Sequence, residues 1–267
     1  MIEKAYAKLN LILDIVGIRN DGYHELQSLM IPIDYYDELY FDKSNEIELI
    51  SNVTIPNNAI LKTAQLIKDT YQVKEGVSMT LNKRIPIGAG LAGGSADISA
   101  TIRGLNRFWR LDLPMNEQEA LANQLGSDTL FCLHNHRGII TGRGDRIELL
   151  PKDKRIENIT LICPKISILT KTVFEVFKKH QRHDFYQHTT DYLNTFDESK
   201  LYNDLMEPAF MVSPKLKEIH QDLLELGFKP HLSGSGSTLF LFNLSKTQKE
   251  ALLKIQDIEI IDTQEHQ

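Results

Sequence analysis

The first hydrophobic pattern in the chain is an alternation over residues 5–16. Apolar side chains occupy the odd positions, and most of the even positions carry polar groups. A period of two is that of a β-strand with one face in the core. The pattern therefore predicts a half-buried strand, and its polar face carries Lys8, Asn10 and Asp14.

The next segments alternate between turn, strand and helix patterns up to residue 81. Asn20-Asp21-Gly22 predicts a turn, and residues 37–42 and 46–51 read as strands. Residues 57–69 place apolar side chains at helical spacing, with Asn57 or Asn58 as the N-cap. Residues 77–81 alternate again, which predicts a further strand leading into a glycine-rich segment.

Two helices are predicted after the glycine-rich segment. Apolar residues recur with helical spacing over 98–109, and residues 116–126 form a second helical pattern. Asn116 and Glu119 have the spacing of a capping box, and Gly126 marks the end of that helix.

The rest of the chain mixes strand and helix patterns without regular alternation. Strands are predicted at 159–164 and 237–242, and helices at 171–180, 214–227 and 246–255. Residues 181–200 are polar and read as an irregular exposed connection. This mixture predicts an α+β protein with two lobes.

Composition and charge narrow the classes of function. The 267 residues are 42% hydrophobic and 25% charged, and the net charge of −6 argues against a nucleic-acid-binding protein. The two cysteines, Cys132 and Cys163, have no metal-ligand spacing, which fits a reducing compartment. Without an apolar run of membrane-spanning length, we expect a cytoplasmic protein with no membrane partner.

The glycine-rich segment Ile85–Ser99 is the main candidate for chemistry. Gly88, Gly90 and Gly93 match the dinucleotide fingerprint, but Pro86 interrupts the strand that should precede it. No Gly-Lys-Ser/Thr follows, which excludes a Walker loop. The segment does run into a helix N-terminus, where backbone N–H groups bind anions. It therefore predicts either a phosphate site, with Lys83 and Arg84 just upstream, or a glycine hinge.

Three further segments carry candidate groups. A second glycine loop, Ser233–Gly236, precedes an apolar strand, and two such loops suggest a phosphate held between lobes. Asp128 lies between a helix end and an apolar run read as a strand, so it is either a general base or a cap. Lys8 is either its cationic partner or a solvated strand lysine. The His-Asn-His at 134–136 lacks a third ligand and reads as a surface loop.

In this order, the segments resemble the GHMP kinases, the family of galactokinase, homoserine kinase and mevalonate kinase. The matching segments are AKLNLILDIVGIRNDGYHELQSLM, IPIGAGLAGGSADIS, LGSDTLFCL, YNDLMEPA and HLSGSGSTLFLF. The Gly-Tyr-His-Glu-Leu segment is similar to the family member that acts on a cytidine-diphosphate sugar alcohol in the non-mevalonate isoprenoid pathway. The resemblance implies an N-terminal ribosomal-protein-like ATP-binding domain over 1–155 and a C-terminal ferredoxin-like domain over 156–267.

The resemblance also implies the roles of individual residues. Asp128 matches the catalytic base and Lys8 its partner, while Asn58 and Lys83 match positions near the adenosine. Cytosine recognition falls to Tyr23, His24 and Phe174, and other substrate contacts to Asn10, Thr170 and Gly234. The loop that holds the ATP phosphates matches Pro86, Gly88, Ala89, Gly90, Leu91, Ala92, Gly93, Gly94 and Ser95.

The implied reaction transfers the γ-phosphate of ATP to a hydroxyl of the sugar alcohol. Mg²⁺ is expected to arrive with the nucleotide rather than on dedicated protein ligands, and the protein is expected to be a monomer or weak homodimer. Two alternatives stay open: another small-molecule kinase of the family, or a non-catalytic nucleotide-binding relative.

The chain departs from the family pattern at a few positions. Ala92 replaces a usual glycine, and Ala96 a frequent serine; Leu130 replaces a proline, and His136-Arg137 a small glycine-rich pair. If residue 92 has a left-handed backbone, its methyl group costs about 1–2 kcal/mol. These departures bear on the rate and the substrate more than on the fold.

Overall fold

The computed structural model describes residues 1–20, 22–152, 154–178 and 183–267. Packing divides the chain into two units built from interleaved stretches. Unit 1 comprises Met1–Ala7, Tyr35–Pro86 and Ala92–Asn135, and unit 2 comprises Lys8–Asp34, Ile87–Leu91 and His136–Gln267. The single boundary after residue 155 stays a prediction. No helix in the described ranges is long and apolar enough to cross a membrane.

Two long strands, β1 (Ile2–Ile18) and β2 (His24–Asp42), contribute residues to both units. The alternation over residues 5–16 correctly predicts β1, but the expectation of a half-exposed strand is wrong. The polar residues Lys8, Asn10 and Asp14 are all at most 3% exposed. Because buried polar groups need hydrogen-bond partners, this burial indicates that specific contacts hold the polar face of β1 in place.

The predicted turn between β1 and β2 is closed by backbone hydrogen bonds on either side of Asp21, which itself lies outside the described residues. The amide of Gly22 donates to the carbonyl of Arg19 over 3.0 Å, and the amide of Arg19 donates to the carbonyl of Tyr23 over 2.8 Å. Gly22 has a φ of +82°, a conformation that suits glycine in a turn.

Unit 1 combines the end of β2 with two more strands and four helices. The elements are β3 (Ile47–Ser51), α1 (Ala59–Thr70), β4 (Val77–Asn82), α2 (Gly93–Phe108), α3 (Met115–Leu125) and α4 (Thr129–His134). The end of β2 pairs with β4 in antiparallel fashion, and β4 pairs with β3 in parallel. Helix α2 packs closely on β2, since a Cβ on Gly104 would lie 2.2 Å from a ring carbon of Phe41.

The helix ends of unit 1 only partly follow the predictions. Asn58 is the N-cap of α1, and its side chain accepts a hydrogen bond from the amide of Ile60. The predicted capping box of α3 is wrong, because the N-cap is Pro114 and no side chain caps the helix. Gly126 ends α3 as predicted.

Unit 2 holds a hairpin paired with β2 and a separate antiparallel sheet. The strands are β5 (Gly138–Gly142), β6 (Arg146–Leu149), β7 (Ile159–Pro164), β8 (Tyr202–Asn203), β9 (His231–Leu232), β10 (Leu239–Phe242) and β11 (Ile258–Thr263). Strands β5 and β6 form the hairpin, and β8 pairs in parallel with β1. The separate sheet has the strand order β11-β7-β10-β9.

The helices of unit 2 cover this sheet with a continuous apolar core that includes Ile162, Leu216 and Leu239. Helix α8 begins at Pro214 and ends just before Gly227, as the sequence predicts. The helices are α5 (Thr170–Val176), α6 (Phe185–Thr195), α7 (Met206–Val212), α8 (Pro214–Glu225) and α9 (Lys246–Leu252), with a 3₁₀ turn at Glu198–Lys200.

Two predictions for residues 171–200 need correction. Helix α5 ends at Val176, and residues 179–182, shared by the predicted helix and connection, lie outside the described residues. The connection is not irregular, because Asp184 caps a helix, α6. Phe185, Thr189 and Tyr192 are buried on one face of α6, at the i, i+4, i+7 spacing of an amphipathic helix.

Candidate active site

In unit 2, the polar face of β1 meets the first half of the glycine loop. The ammonium of Lys8 donates to the carbonyl of Gly90 over 2.7 Å and to the amide oxygen of Asn10 over 2.5 Å. Asn10 donates in turn to the hydroxyl of Ser28 over 2.8 Å, which fixes the orientation of its side chain. A buried ammonium held by two oxygens is a fixed positive charge at this point of the loop.

The second glycine loop closes over the same residues. The Ser233 hydroxyl donates to the Gly90 carbonyl over 3.0 Å, and the Thr238 amide donates to the Ala89 carbonyl over 3.0 Å. A Cβ on Gly90 would lie 2.2 Å from the carbonyl oxygen of Ser233, and one on Gly234 would lie 3.0 Å from the ammonium of Lys8. Glycine is therefore required where the two loops meet. The predicted contacts Lys8, Asn10, Gly90 and Gly234 form one cluster.

The other predicted loop residues of unit 2 have ordinary supporting contacts. The carbonyl of Gly88, which has a φ of +68°, accepts from the amide of Ile168 over 3.1 Å. The Leu91 carbonyl accepts from the amide of Lys8 over 3.2 Å. Thr170, the first residue of α5, has its hydroxyl 2.8 Å from that of Ser235, which brings this predicted substrate contact to the second glycine loop.

Asn203, on β8, is a supporting residue that the sequence analysis did not select. Its amide nitrogen donates to the carbonyls of Leu232 and Gly234, each over 2.8 Å, and its amide oxygen accepts from the amide of Leu205 over 2.9 Å. The amide nitrogen thus holds the second glycine loop and the strand before it, while the amide oxygen fixes the turn that follows β8. In the sequence, Asn203 could have been selected because it lies in YNDLMEPA, one of the segments that match the family pattern.

The three residues predicted to recognise a cytosine lie together in unit 2. The ring centroids of His24 and Phe174 are 4.8 Å apart with an interplanar angle of 35°, and Phe177 meets the His24 ring edge-on at 5.7 Å. Tyr23 is 55% exposed, and the guanidinium of Arg143 lies 5.8 Å from its ring centroid. Burial lowers the pKa of His24, which favours the neutral imidazole with one donor and one acceptor.

In unit 1, the second half of the glycine loop becomes the first turn of α2. Gly93, Gly94 and Ser95 are its first three residues, and a Cβ on Gly94 would have no atom within 4 Å. Their amides are among the first four of the helix, which have no partner within it. This open turn has the features of an anion site. The buried hydroxyl of Ser99 connects the turn to α4, because its one proton is shared between the carbonyls of Ser95 and Thr129, at 2.9 and 2.8 Å.

Ala92, the N-cap of α2, has the left-handed backbone that the sequence analysis considered, with φ +55° and ψ +30°. We expect Ala92→Gly to relieve a strain of about 1–2 kcal/mol, partly offset by the larger backbone entropy of glycine in the unfolded chain. If this strain opposes phosphate binding, the affinity for ATP should improve by up to about tenfold. Calorimetric titration with ATP measures this change.

Ala89→Gly in the same segment is the matched control, since φ is not positive at Ala89. It should destabilise the protein without improving ATP affinity. An unchanged affinity in Ala92→Gly would show that the loop accommodates alanine at no cost to binding.

Asp128 is at the N-cap position of α4, and its side chain makes no capping hydrogen bond to that helix. The apolar run after it was predicted to be a strand and is instead helical. A short apolar run fits both structures, which explains the error. Thr129 follows, and its buried hydroxyl has no hydrogen-bond partner in the described part of the chain. A Cβ on Gly126 would lie 2.8 Å from that hydroxyl and 3.6 Å from the hydroxyl of Ser95, so the two hydroxyls flank Gly126.

The two predicted adenosine contacts have structural roles of their own in unit 1. Asn58 caps α1, and Lys83 forms buried ion pairs with Asp37 and Asp97. Pro86 is half-buried at the end of the stretch that leads from β4 to the loop. Their contacts with a nucleotide stay predictions.

The His-Asn-His segment is not part of a metal site within the described ranges. His134 lies 2.8 Å from Glu119, and none of the described His, Cys, Asp and Glu residues form a group that could hold a metal.

Comparison with known proteins identifies the family of this chain. The model of the GHMP kinase N-terminal domain matches residues 58–136. A 4-diphosphocytidyl-2-C-methyl-D-erythritol kinase of Bacillus cytotoxicus is 37% identical over 252 residues, which are 90% of this chain and 87% of that protein. The enzyme of the same name from Thermoanaerobacter pseudethanolicus is 38% identical over 89% of this chain and 85% of its own length.

Solved structures agree with this assignment. A crystal structure of 4-(cytidine 5'-diphospho)-2C-methyl-D-erythritol kinase superposes with a TM-score of 0.83 and 28% identity, covering all of both chains. The mevalonate kinase of Methanococcus jannaschii has a TM-score of 0.70 at 16% identity, covering all of this chain and 98% of its own, and so shares the fold. The predicted α+β class and GHMP kinase fold are thereby confirmed. Because the chain is 37% identical to such an enzyme over 90% of its length, it belongs to the 4-diphosphocytidyl-2-C-methyl-D-erythritol kinases, within the GHMP kinase family.

Proposed function

We propose that this chain transfers the γ-phosphate of ATP to the 2-hydroxyl of 4-diphosphocytidyl-2-C-methyl-D-erythritol, a step of non-mevalonate isoprenoid synthesis. The observation that carries the acceptor is the contact between His24 and Phe174, at 4.8 Å between ring centroids, beside the exposed ring of Tyr23. Aromatic faces bind nucleobases by stacking, and a neutral imidazole can both donate to and accept from the polar edge of cytosine.

The nucleotide phosphates are assigned to the first turn of α2, which begins at Gly93. Its amides are arranged before any ligand arrives, so that binding an anion there requires little reorganisation. The exposed Gly94, with open space where a Cβ would be, supports a close approach of phosphate oxygens to the backbone.

Phosphoryl transfer needs positioning and charge neutralisation more than covalent chemistry from the protein. In the proposal, the Asp128 carboxylate accepts the proton of the attacking 2-hydroxyl as its oxygen bonds to the γ-phosphorus. The Lys8 ammonium, held by Gly90 and Asn10, stabilises negative charge in the transition state. ADP leaves with the electrons of the broken phosphorus–oxygen bond.

Mg²⁺ is proposed to accompany ATP and to neutralise charge on its phosphates. A hard cation of this kind needs oxygen ligands and usually keeps several waters, so a few protein oxygens suffice. The hydroxyls of Ser95 and Thr129 fit that requirement, because both flank Gly126 and the buried Thr129 hydroxyl has no hydrogen-bond partner among the residues that the structure describes. Cytoplasmic location and a monomeric or weakly dimeric state remain predictions.

The acceptor is tested by Phe174→Ala. Stacking is worth about 1–3 kcal/mol per base, so the KM for the cytidine substrate should rise by about 5- to 150-fold while the KM for ATP changes little. Steady-state kinetics with each substrate varied in turn measures this split. Phe174→Tyr, which keeps the aromatic face, is the matched control and should retain most of the affinity.

Thermal unfolding of Phe174→Ala must accompany the kinetics, since loss of a packed ring also destabilises. A parallel rise of both KM values would contradict the cytosine site. Phosphorylation of mevalonate as well as the cytidine compound would favour the alternative of a different family kinase. ATP binding without turnover on either the cytidine compound or mevalonate would favour a non-catalytic relative.

A further inference from the structure

A buried cluster of three charged side chains lies beneath the phosphate-binding turn in unit 1. The ammonium of Lys83 is 2.5 Å from a carboxylate oxygen of Asp37 and 2.7 Å from one of Asp97. The side chains of Lys83, Asp37 and Asp97 are 5%, 0% and 5% exposed. Such burial leaves these groups little surface with which to touch a nucleotide directly.

Asp37 connects the cluster to the chain that enters the glycine loop. Its other carboxylate oxygen accepts from the amides of Arg84 and Ile85, over 2.5 and 2.8 Å. The amide of Lys83 donates to Asn52 over 2.8 Å, and Asn52 donates back to the carbonyl of Lys83 over 3.0 Å. Residues 83–85 are thereby fixed against β2 and the segment after β3.

Asp97 connects the cluster to the helix that leaves the glycine loop. It lies in α2, one turn after Gly93, and the Lys83 ammonium is 3.0 Å from where a Cβ on Gly93 would be. The ion pair between Lys83 and Asp97 therefore joins the segment before the loop to the beginning of α2. With Asp37, it holds the two ends of the loop in fixed relation within unit 1.

Asp97 costs stability in this position. One of its carboxylate oxygens is buried and receives no hydrogen bond from a donor among the described residues. Burial, aided by Asp37, raises the pKa of Asp97 to about 7 against the opposing effect of Lys83. A carboxyl with a raised pKa favours unfolding increasingly as pH rises from about 4, its unfolded value, to about 7. Above that range Asp97 is ionised and buried, and its carboxylate and that of Asp37 share the ammonium of Lys83.

We infer that Asp97, acting through Lys83, is a positioning residue that fixes the first turn of α2 for the phosphates of ATP. This inference rests on the proposed function. It also assigns Lys83 an indirect part in nucleotide binding, through the backbone of α2. If Asp97 positions the turn at a cost in stability, its removal should lower the affinity for the nucleotide without lowering the stability of the protein.

The test is calorimetric titration of Asp97→Ala with a non-hydrolysable ATP analogue and Mg²⁺ at pH 8, together with thermal unfolding. We expect the dissociation constant to rise by about 5- to 30-fold, while the melting temperature stays level or rises. Asp97→Asn keeps an acceptor of the same shape for Lys83, so it should restore most of the affinity. Asp69→Ala, on the exposed face of α1, is the matched control and should change neither quantity.

Two results would overturn the inference. Unchanged affinity in Asp97→Ala would show that the cluster does not set the turn. A melting temperature that falls together with affinity in both Asp97 variants would reveal a merely structural role. If the wild-type protein itself failed to bind the analogue, the proposed function would be wrong and the inference with it, an outcome distinct from the other two. Should Asp97→Ala not fold, Asp97→Leu takes its place, since it fills the buried space with an apolar side chain, and it should show the same rise in the dissociation constant.

Discussion

Asp128→Asn should fold normally and lose turnover by about 10²–10⁴-fold, the usual contribution of a positioned general base. The substitution preserves the shape of the side chain but removes its ability to accept a proton. Asp128 makes no capping hydrogen bond to α4, so the helix does not depend on the carboxylate for its first turn. The effect should therefore appear in kcat, with little change in the KM for either substrate.

Measuring kcat and both KM values alongside thermal unfolding tests this expectation. Asp112→Asn provides the matched control, because Asp112 is an exposed aspartate of the same unit. Asparagine tolerates its positive φ of 52°, and turnover should remain as in the wild type. Turnover of Asp128→Asn close to the wild-type value would remove Asp128 from the mechanism.

Local periodicity was sufficient to predict most of the helices and strands, since each pattern depends on residues near one another in the chain. The alternation over residues 5–16 predicted β1. The helix predicted over 214–227 begins at Pro214 as expected and ends at Glu225, two residues before the predicted glycine. Burial was less predictable. Lys8 lies on a polar face that proved to be covered, because its partner Gly90 is 82 residues away in sequence.

The errors have identifiable physical causes. The six-residue helix α4 follows a glycine and an aspartate and is too short for its period to distinguish it from a strand. Helix α6 shows helical spacing of Phe185, Thr189 and Tyr192, but polar residues around them concealed it. The candidate site was found mainly through family resemblance, whereas supporting residues such as Asn203 and Asp37 act on backbone groups and have no local pattern.

Arg137 is a departure from the family pattern that the structure explains. It is 3% exposed, and its Nε donates to a carboxylate oxygen of Glu265, itself fully buried, over 2.9 Å. Its terminal nitrogen donates to the other carboxylate oxygen of Glu265 and to the carbonyl of Lys154. The partners are 128 residues apart in sequence, so neither position alone could indicate the pair.

Glu265 also fixes the last residues of the chain in unit 2. Its carboxylate accepts from the amide of Ile156 over 3.0 Å, and its own amide donates to the carbonyl of Ile156 over 2.8 Å. Arg155 adds a hydrogen bond from its Nε to the carbonyl of Glu265. The carboxylate thus accepts from a buried guanidinium and a backbone amide at once. Its loss would remove the acceptor of the Ile156 amide and the charged partner of Arg137, which would keep its hydrogen bond to the carbonyl of Lys154.

Glu265→Ala should therefore lower the free energy of unfolding by about 3–5 kcal/mol, as expected when one partner of a buried ion pair is removed. Arg137→Met combined with Glu265→Leu should be less destabilised than the sum of the two single changes, because neither charge then stays buried alone. Urea unfolding of the wild type, of Arg137→Met, of Glu265→Leu and of the double variant gives the coupling free energy between the two side chains.

Glu250→Ala, on the exposed face of α9, is the matched control and should change stability by less than about 0.5 kcal/mol. A loss below about 1 kcal/mol in Glu265→Ala would mean that water replaces the carboxylate, and that Arg137 needs no protein partner to remain at this position.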